Sequence, residues 1–307
     1  MTIAVSSFAP FDVSYAARTP YLTATEYINA PTAIDTSNLV GGGSSAANLA
    51  ALTETIGRAS SYIDSYTCGA WGTLCATQNT ENGRVWGNRK GQLVIHPKYW
   101  PILSVDSFSY SYEGNGFASS TSASITPYNN VWIEPQQFVV QPGGVVSWSP
   151  RVSGITTAEY FCQWTYTNGW PNTSLAASVA AGAASITPAV VTGLYPGTML
   201  TLYDMPNDEQ IQVASNYVTG ASVVPLTAPL QYTHATTATI TNIPPAIKQA
   251  AILLTTAFVK QRGSGALVVE DMGAATHVES GFSQMSGDDW FQARDLLAPY
   301  VQRLVSY

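Results

Sequence analysis

The chain has 307 residues, of which 46% are hydrophobic and only 10% are charged, and its net charge at pH 7 is −7. This length allows one large or two modest domains with a sizeable core. The acidic balance argues against binding nucleic acid through phosphate contacts, which needs a basic face.

The N-terminal sequence and the cysteines indicate where the protein is made. Residues 1–18 lack a basic stretch followed by a continuous apolar core, so no signal peptide is predicted. No window reaches the ~18 uninterrupted apolar residues of a membrane span. Cys68, Cys75 and Cys162 are too few for a disulfide framework, although a Cys68–Cys75 bridge stays open. We therefore expect a soluble protein made in a cytoplasm, with no membrane partner.

The N-terminal part is predicted to be an arm, residues 1–45, followed by a long helix. YLTATEYIN (21–29) is predicted to be a short helix, and Ser44 and Ser45 are candidate N-caps of the long one. Glu54 and Arg58 form an i,i+4 pair, and Gly69 is a suitable residue for the C-terminal end of the helix. One buried face is predicted from apolar residues spaced three and four apart: Leu49, Leu52, Ile56, Ala59, Ile63 and Tyr66.

Between about residues 92 and 171 the apolar residues alternate, which predicts β-strands. The alternating segments are SVDSFSYSY (104–112), NNVWIEPQQFVV (129–140) and EYFCQWTYTNGW (159–170), separated by Gly, Ser and Pro turns. In the last segment, Tyr160, Cys162, Trp164 and Tyr166 share one face, which is typical of strand packing.

Residues 175–241 are predicted to be an inserted small β module. GTMLTLYD (197–204) and EQIQVAS (209–215) alternate on either side of the turn MPND, which predicts a hairpin. His234 is predicted to lie at a strand end, hydrogen-bonded to a turn.

The stretch PPAIKQAAILLTTAFVKQRG (244–263) is predicted to be a helix with apolar residues on two sides. One stripe contains Ile247, Ala250, Ala251, Leu254 and Phe258. The second, formed by Ile252, Thr256 and Val259, is predicted to be buried against another helix, within the subunit or across a subunit interface. The expected polar edge consists of Lys248, Thr255 and Arg262.

The C-terminal part is predicted to be a loop and a last helix. Residues 263–281 form a glycine-rich loop with a short β run at Leu267, Val268 and Val269. Ser286 and Asp289 match a capping box, and Pro299 should kink or divide the helix. The expected fold class is α+β, in which a large β-rich excursion separates the first long helix from two C-terminal helices. The predicted divisions are 1–45, 46–174, 175–241 and 242–307.

Catalytic templates are not matched. The three histidines are isolated in sequence, and there is no nucleophile elbow, P-loop or dinucleotide fingerprint. The pair Asp288/Asp289 begins a helix, where negative charge complements the dipole. Glu270/Asp271 lie in the glycine-rich loop, as a solvated tip or a contact to a cation of a partner. We expect no enzyme activity, no cofactor and no metal.

Abundant aromatic residues leave a carbohydrate-binding β module of a surface protein as an alternative. Its sugar-stacking platform would be Trp164, Tyr166 and Trp170. A secreted hydrolase has the least support, because no acid–base pair stands in a suitable context.

Five phrases follow one another along the chain: ALTETIGRASSYIDSYTCG, PILSVDSFSYSY, WTYTNGW, IPPAIKQA and DLLAPYVQRL. In this order they resemble the head–tail connector (adaptor) proteins of long-tailed bacteriophages. ALTETIGRASSYIDSYTCG is similar to that family's first long helix, and PILSVDSFSYSY to the strand that follows a Pro-x-x-Ser-Val turn. WTYTNGW is similar to its Tyr-x-x-Gly-Tyr strand end, IPPAIKQA to the start of the next helix, and DLLAPYVQRL to its closing helix. Residues 175–241 lie where minimal members have a short linker, and resemble a small β module of phage structural proteins.

The resemblance implies a structural protein of the virion neck, assembled in the host cytoplasm. It implies a ring of twelve copies that binds the portal protein and a tail completion (stopper) protein and lets DNA pass without specific binding. The closing helix would dock to the portal through Leu296, Leu297, Pro299, Tyr300, Val301, Arg303, Leu304 and Tyr307. The candidate subunit interface comprises Ile252, Thr256, Val259, Leu267, Val268 and Val269.

Overall fold

A computed structural model describes residues 19–69, 72–88, 92–111, 121–123, 131–141, 159–236, 238–263 and 287–302. The fold is mixed, with α-helices and several antiparallel sheets. The chain divides into a helical unit, Met1–Gly72 with Pro244–Pro299, and a β unit, Thr73–Ile243 with Tyr300–Tyr307. The predicted division 46–174 contains both the first long helix and the strands, whereas in the structure the helix and the strands belong to different units.

Four helices form the described part of the helical unit: α1 (Ala24–Asn29), α2 (Ser45–Cys68), α3 (Pro245–Gly263) and α4 (Gly287–Leu297). Helix α3 packs against both α2 and α4, so stretches far apart in sequence share one core. None of the described helices is long and apolar enough to cross a membrane.

Helix α2 follows the predicted periodicity. Leu52, Ile56, Ala59 and Ile63 are buried, and Ser44 is the N-cap, accepting a hydrogen bond from the Ala47 N–H. Gly69 ends the helix with φ +75°, a conformation that side chains with a Cβ disfavour.

Leu49, expected on that buried face, is instead 49% exposed. The neighbouring Asn48 is buried in its place. Its side chain donates to the Ser37 carbonyl and accepts from the Val40 N–H. Tyr66 is half-buried. The preceding loop therefore determines which way the first turn of α2 faces.

The prediction of a polar edge on α3 is wrong, because two of the residues predicted to form it, Lys248 and Thr255, are buried. Thr255 is fully buried, and the Lys248 side chain is 9% exposed. The Lys248 ammonium forms an ion pair with Glu26 of α1. The other oxygen of Glu26 accepts a hydrogen bond from the Thr23 N–H at 2.6 Å, completing the capping box of α1. One carboxylate thus both caps α1 and ties it to α3.

Of the four sheets in the described part of the β unit, two share one core. The first has the order β1 (Thr77–Trp86), β7 (Glu159–Asn168), β3 (Ile102–Ser111), β4 (Thr121–Ala123), and the second has the order β2 (Leu93–Ile95), β6 (Phe138–Val140), β5 (Val131–Ile133). All strand pairs are antiparallel.

The predicted alternation of β7 is confirmed, since Tyr160, Cys162, Trp164 and Tyr166 are all buried. The opposite face of the strand is more exposed. Strand β1 was not predicted, because TQNTENGRVW is almost entirely polar. It forms because it pairs with β7 over its whole length, and such pairing overrides weak local propensity.

The segment 175–241 has a hydrophobic core of its own, which includes Leu194, Leu202, Val224 and Ile240. Together with β8 (Asn172–Ser174), which directly precedes it, the segment forms a sheet of the order β11 (Glu209–Gln212), β10 (Met199–Tyr203), β13 (Thr239–Thr241), β8. A short strand pair, β9 (Ser185–Ile186) with β12 (Val224–Pro225), is also present. The predicted hairpin around MPND is confirmed by the pairing of β10 with β11. We call residues 172–243 the small β module.

At the C-terminal end, Pro299 divides the predicted last helix. Helix α4 ends at Leu297, and a 3-10 turn, Ala298–Tyr300, follows. Proline cannot continue the α-helical hydrogen bonding and disfavours helical geometry in the residue before it. Ser286 of the predicted capping box lies outside the described residues, and Asp289 accepts a hydrogen bond from Lys260.

Candidate functional site

Half-buried aromatic side chains from three helices meet in the helical unit. Trp290 of α4 lies against Tyr62 of α2, with ring centroids 4.4 Å apart, and against Phe258 of α3 at 5.7 Å. The Arg294 guanidinium lies 5.4 Å from the ring centre of Tyr66. Tyr, Trp, Phe and Arg are enriched at protein interfaces and among their energetically dominant residues. We call this group of five residues the aromatic face.

The predicted second stripe of α3 is mostly covered by the chain itself. Thr256 is 6% exposed, and its hydroxyl lies 3.0 Å from the Tyr27 hydroxyl of α1. Val259 is 8% exposed, whereas Ile252 is half-buried. Of these three, Ile252 therefore has the most surface left for a subunit contact. The other predicted interface residues, Leu267, Val268 and Val269, lie outside the described residues.

The predicted portal-docking residues have different surroundings. Leu297 is fully buried in the helical unit, Leu296 is half-buried and Pro299 is exposed. Tyr300 and Val301, in the β unit, are half-buried. Arg303, Leu304 and Tyr307 lie outside the described residues. Exposed Phe291, at 56%, was not among the predicted residues, although its place on α4 is close to them in sequence.

The three aromatic residues considered for sugar stacking do not form an exposed platform. Trp164 is 1% exposed and Tyr166 is fully buried, since both belong to the core face of β7. Trp170 is half-buried and meets the Tyr300 ring edge-on, with centroids 5.7 Å apart. A sugar stacks on an open aromatic face, so a carbohydrate site would need other residues.

A half-buried carboxylate in the β unit was not predicted from the sequence. Glu81 of β1 accepts a hydrogen bond from the Tyr166 hydroxyl at 2.6 Å and from the Lys98 N–H at 3.2 Å. The same hydroxyl accepts from the Tyr99 N–H. Glu81 thus holds the segment after β2 against the sheet. A lone glutamate in a polar strand gives no periodic signal, so only the register of β1 on β7 could identify it.

Burial raises the pKa of the Glu81 carboxyl, and the hydrogen bonds from Tyr166 and Lys98 only partly oppose this effect. The folded protein therefore retains the Glu81 proton to a higher pH than the unfolded chain. The stabilising contribution of this group is complete below the ordinary carboxyl pKa, and is lost as pH rises through the raised pKa.

We predict that Glu81→Gln stabilises the protein relative to wild type increasingly as pH rises from the ordinary carboxyl pKa through the raised pKa of Glu81. Glutamine keeps an acceptor oxygen for Tyr166 and Lys98, and carries no charge to desolvate. Urea unfolding at several pH values would measure the difference, with exposed Glu134→Gln as the control. Parallel pH profiles for wild type and Glu81→Gln would contradict the prediction.

No described group of three or more His, Cys, Asp or Glu residues could hold a metal ion, and no disulfide joins Cys68, Cys75 or Cys162.

No protein-family model matches the chain, and no curated protein matches it.

Proposed function

We propose that the chain is a head-to-tail adaptor of a long-tailed bacteriophage, the subunit of a ring that joins the portal to the tail. The observation that carries this proposal is that the helical unit is formed by two segments, one before and one after the β region in sequence. Helix α2 precedes the β region in sequence and α3 follows it, yet these two helices pack together, and α3 also packs on α4. A helical core with a β-rich excursion is the arrangement that the resemblance to connector proteins implies.

The surface of the helical unit supports assembly into a ring. The four aromatic side chains of the aromatic face are half-buried, Arg294 is exposed, and so is Phe291 on the same helix as Trp290. Rings need two different patches that fit each other on neighbouring copies. We assign Ile252 to one such patch and the aromatic face to the other.

In this proposal the ring occupies the virion neck, between the portal and a tail completion protein. The portal contact is assigned to the C-terminal segment that begins at Leu296. The chain carries a net charge of −7, and twelve copies would multiply it. If the lumen shares this sign, DNA passes without sticking, because like charges repel the phosphate backbone.

Native mass spectrometry and negative-stain imaging of the full chain, alone and with the portal protein, test the proposal. A ring, or a stoichiometric complex with the portal, is expected. A chain that stays monomeric at high concentration and does not bind the portal would reject it.

We predict that Ile252→Asp prevents ring formation, because an aspartate at a packed interface loses apolar contact and must be desolvated. The control is Val218→Asp, which places the same charge on a side chain that is 73% exposed in the small β module. Circular dichroism would show whether each variant is folded. A folded Ile252→Asp that assembles as well as Val218→Asp would remove Ile252 from the interface.

A further inference from the structure

His234 is fully buried in the small β module between two carboxylates. Its Nε2 lies 2.6 Å from a carboxylate oxygen of Glu209, at the start of β11, and its Nδ1 lies 3.3 Å from a carboxylate oxygen of Asp204, just after β10. Among the described residues, Nδ1 has no well-aligned hydrogen bond, so its contact with Asp204 is electrostatic. Both ring nitrogens therefore face negative oxygens.

The same carboxylates hold the backbone on either side of the histidine. Glu209 accepts a hydrogen bond from the Gln231 N–H, and Asp204 accepts one from the Ala235 N–H, both at 2.9 Å. The His234 backbone also exchanges two hydrogen bonds with Val179. The segment 231–235 is thus attached to the β10–β11 hairpin through two carboxylates, each of which contacts the imidazole and one backbone N–H.

The charges of the module make His234 unusual. Residues 172–243 contain no lysine or arginine and only three carboxylates, Asp204, Asp208 and Glu209. Asp208 accepts a hydrogen bond from the Asp204 N–H, so the three carboxylates lie in the same turn region. The segment 172–186, which includes Val179, contains no charged side chain. His234 is the only side chain of the module that can neutralise this negative charge.

We propose that His234 is a proton-dependent clamp that fixes the segment 231–235 to the β10–β11 hairpin. The imidazolium has an N–H on both nitrogens and attracts both carboxylates. A neutral imidazole has only one N–H, so its other nitrogen presents a lone pair to a carboxylate oxygen. Loss of the proton makes one contact repulsive. It also leaves the buried Glu209 carboxylate and the partly exposed Asp204 carboxylate without a cation, and the segment opens locally.

The test uses the full chain and follows two observables by NMR as the pH is raised stepwise. The first is the protonation state of His234, from its ring 15N shifts. The second is the hydrogen-exchange protection of the Gln231 and Ala235 amides, corrected for the intrinsic pH dependence of exchange, with a β10 amide as internal reference.

We expect the protection of both amides to fall about tenfold or more as His234 loses its proton, with one shared midpoint, because a charge-assisted hydrogen bond is lost. In His234→Gln this pH dependence should disappear, whereas His96→Gln, at an exposed histidine of the same unit, should retain it. Protection that does not change while the His234 ring titrates, or an unchanged pH dependence in His234→Gln, would overturn the proposal. If the variant does not fold, the wild-type titration decides alone.

Discussion

Lys248→Met is expected to destabilise the helical unit by about 3–5 kcal/mol, because it leaves the Glu26 carboxylate buried without a cation. The side chains of Lys248 and Glu26 are only 9% and 12% exposed. Methionine retains most of the volume of lysine, so the loss arises mainly from the unpaired charge. Urea unfolding followed by the helical circular dichroism signal would measure the change.

Two further variants isolate the charge effect. Lys248→Met combined with Glu26→Gln should recover much of the loss, because replacing both members of a buried pair is far less costly than removing one. Arg58→Met breaks the exposed pair with Glu54, whose side chains are 54% and 58% exposed, and should cost less than about 1 kcal/mol. Equal losses for Lys248→Met and Arg58→Met would contradict the interpretation of Lys248 as the essential partner of Glu26.

Gly169→Ala is expected to destabilise the β unit by about 2–5 kcal/mol, from an unfavourable backbone conformation and a steric overlap. Gly169 has φ +89°, and a Cβ there would lie 2.6 Å from the Cys75 carbonyl oxygen and 2.7 Å from that of Leu74. Those atoms are backbone, held by the hydrogen bonds that join Leu74 and Ala76 to Trp170. They cannot move aside as a flexible side chain would. Thermal or urea unfolding would measure the loss.

Gly220→Ala is the matched control. Gly220 has the same φ, +89°, but no atom within 4 Å of the added Cβ. Its substitution should cost only the conformational term, about 1–2 kcal/mol. If both variants lose the same stability, the close approach of the Leu74–Cys75 backbone does not explain why glycine is present in the YTNGW phrase.

The local elements could be predicted where the sequence has a clear period or an end signal. Leu52, Ile56, Ala59 and Ile63 recur at helical spacing, and the helix they predict begins and ends at the expected residues. The core face of β7 could be predicted because alternation in a strand directly determines which side chains share a face. Pro299 divides the last helix for a reason that lies in its own ring.

Other elements depend on partners distant in sequence. Strand β1 has few apolar residues, and it is a strand because β7 offers it a complete row of backbone partners. The sequence of α3 alone predicts Lys248 on a polar edge, but α1 places Glu26 beside it. Such contacts depend on the position of another element, which no local pattern contains.

The candidate sites divide in the same way. Composition and spacing alone show that α3 has apolar residues on two sides and that the module from 172 to 243 contains no lysine or arginine. The burial of Thr256 and Val259 within the chain, and the place of His234 between Asp204 and Glu209, follow from packing between distant segments. Composition and periodicity determine what a segment must bury or neutralise, whereas long-range packing determines which group does so.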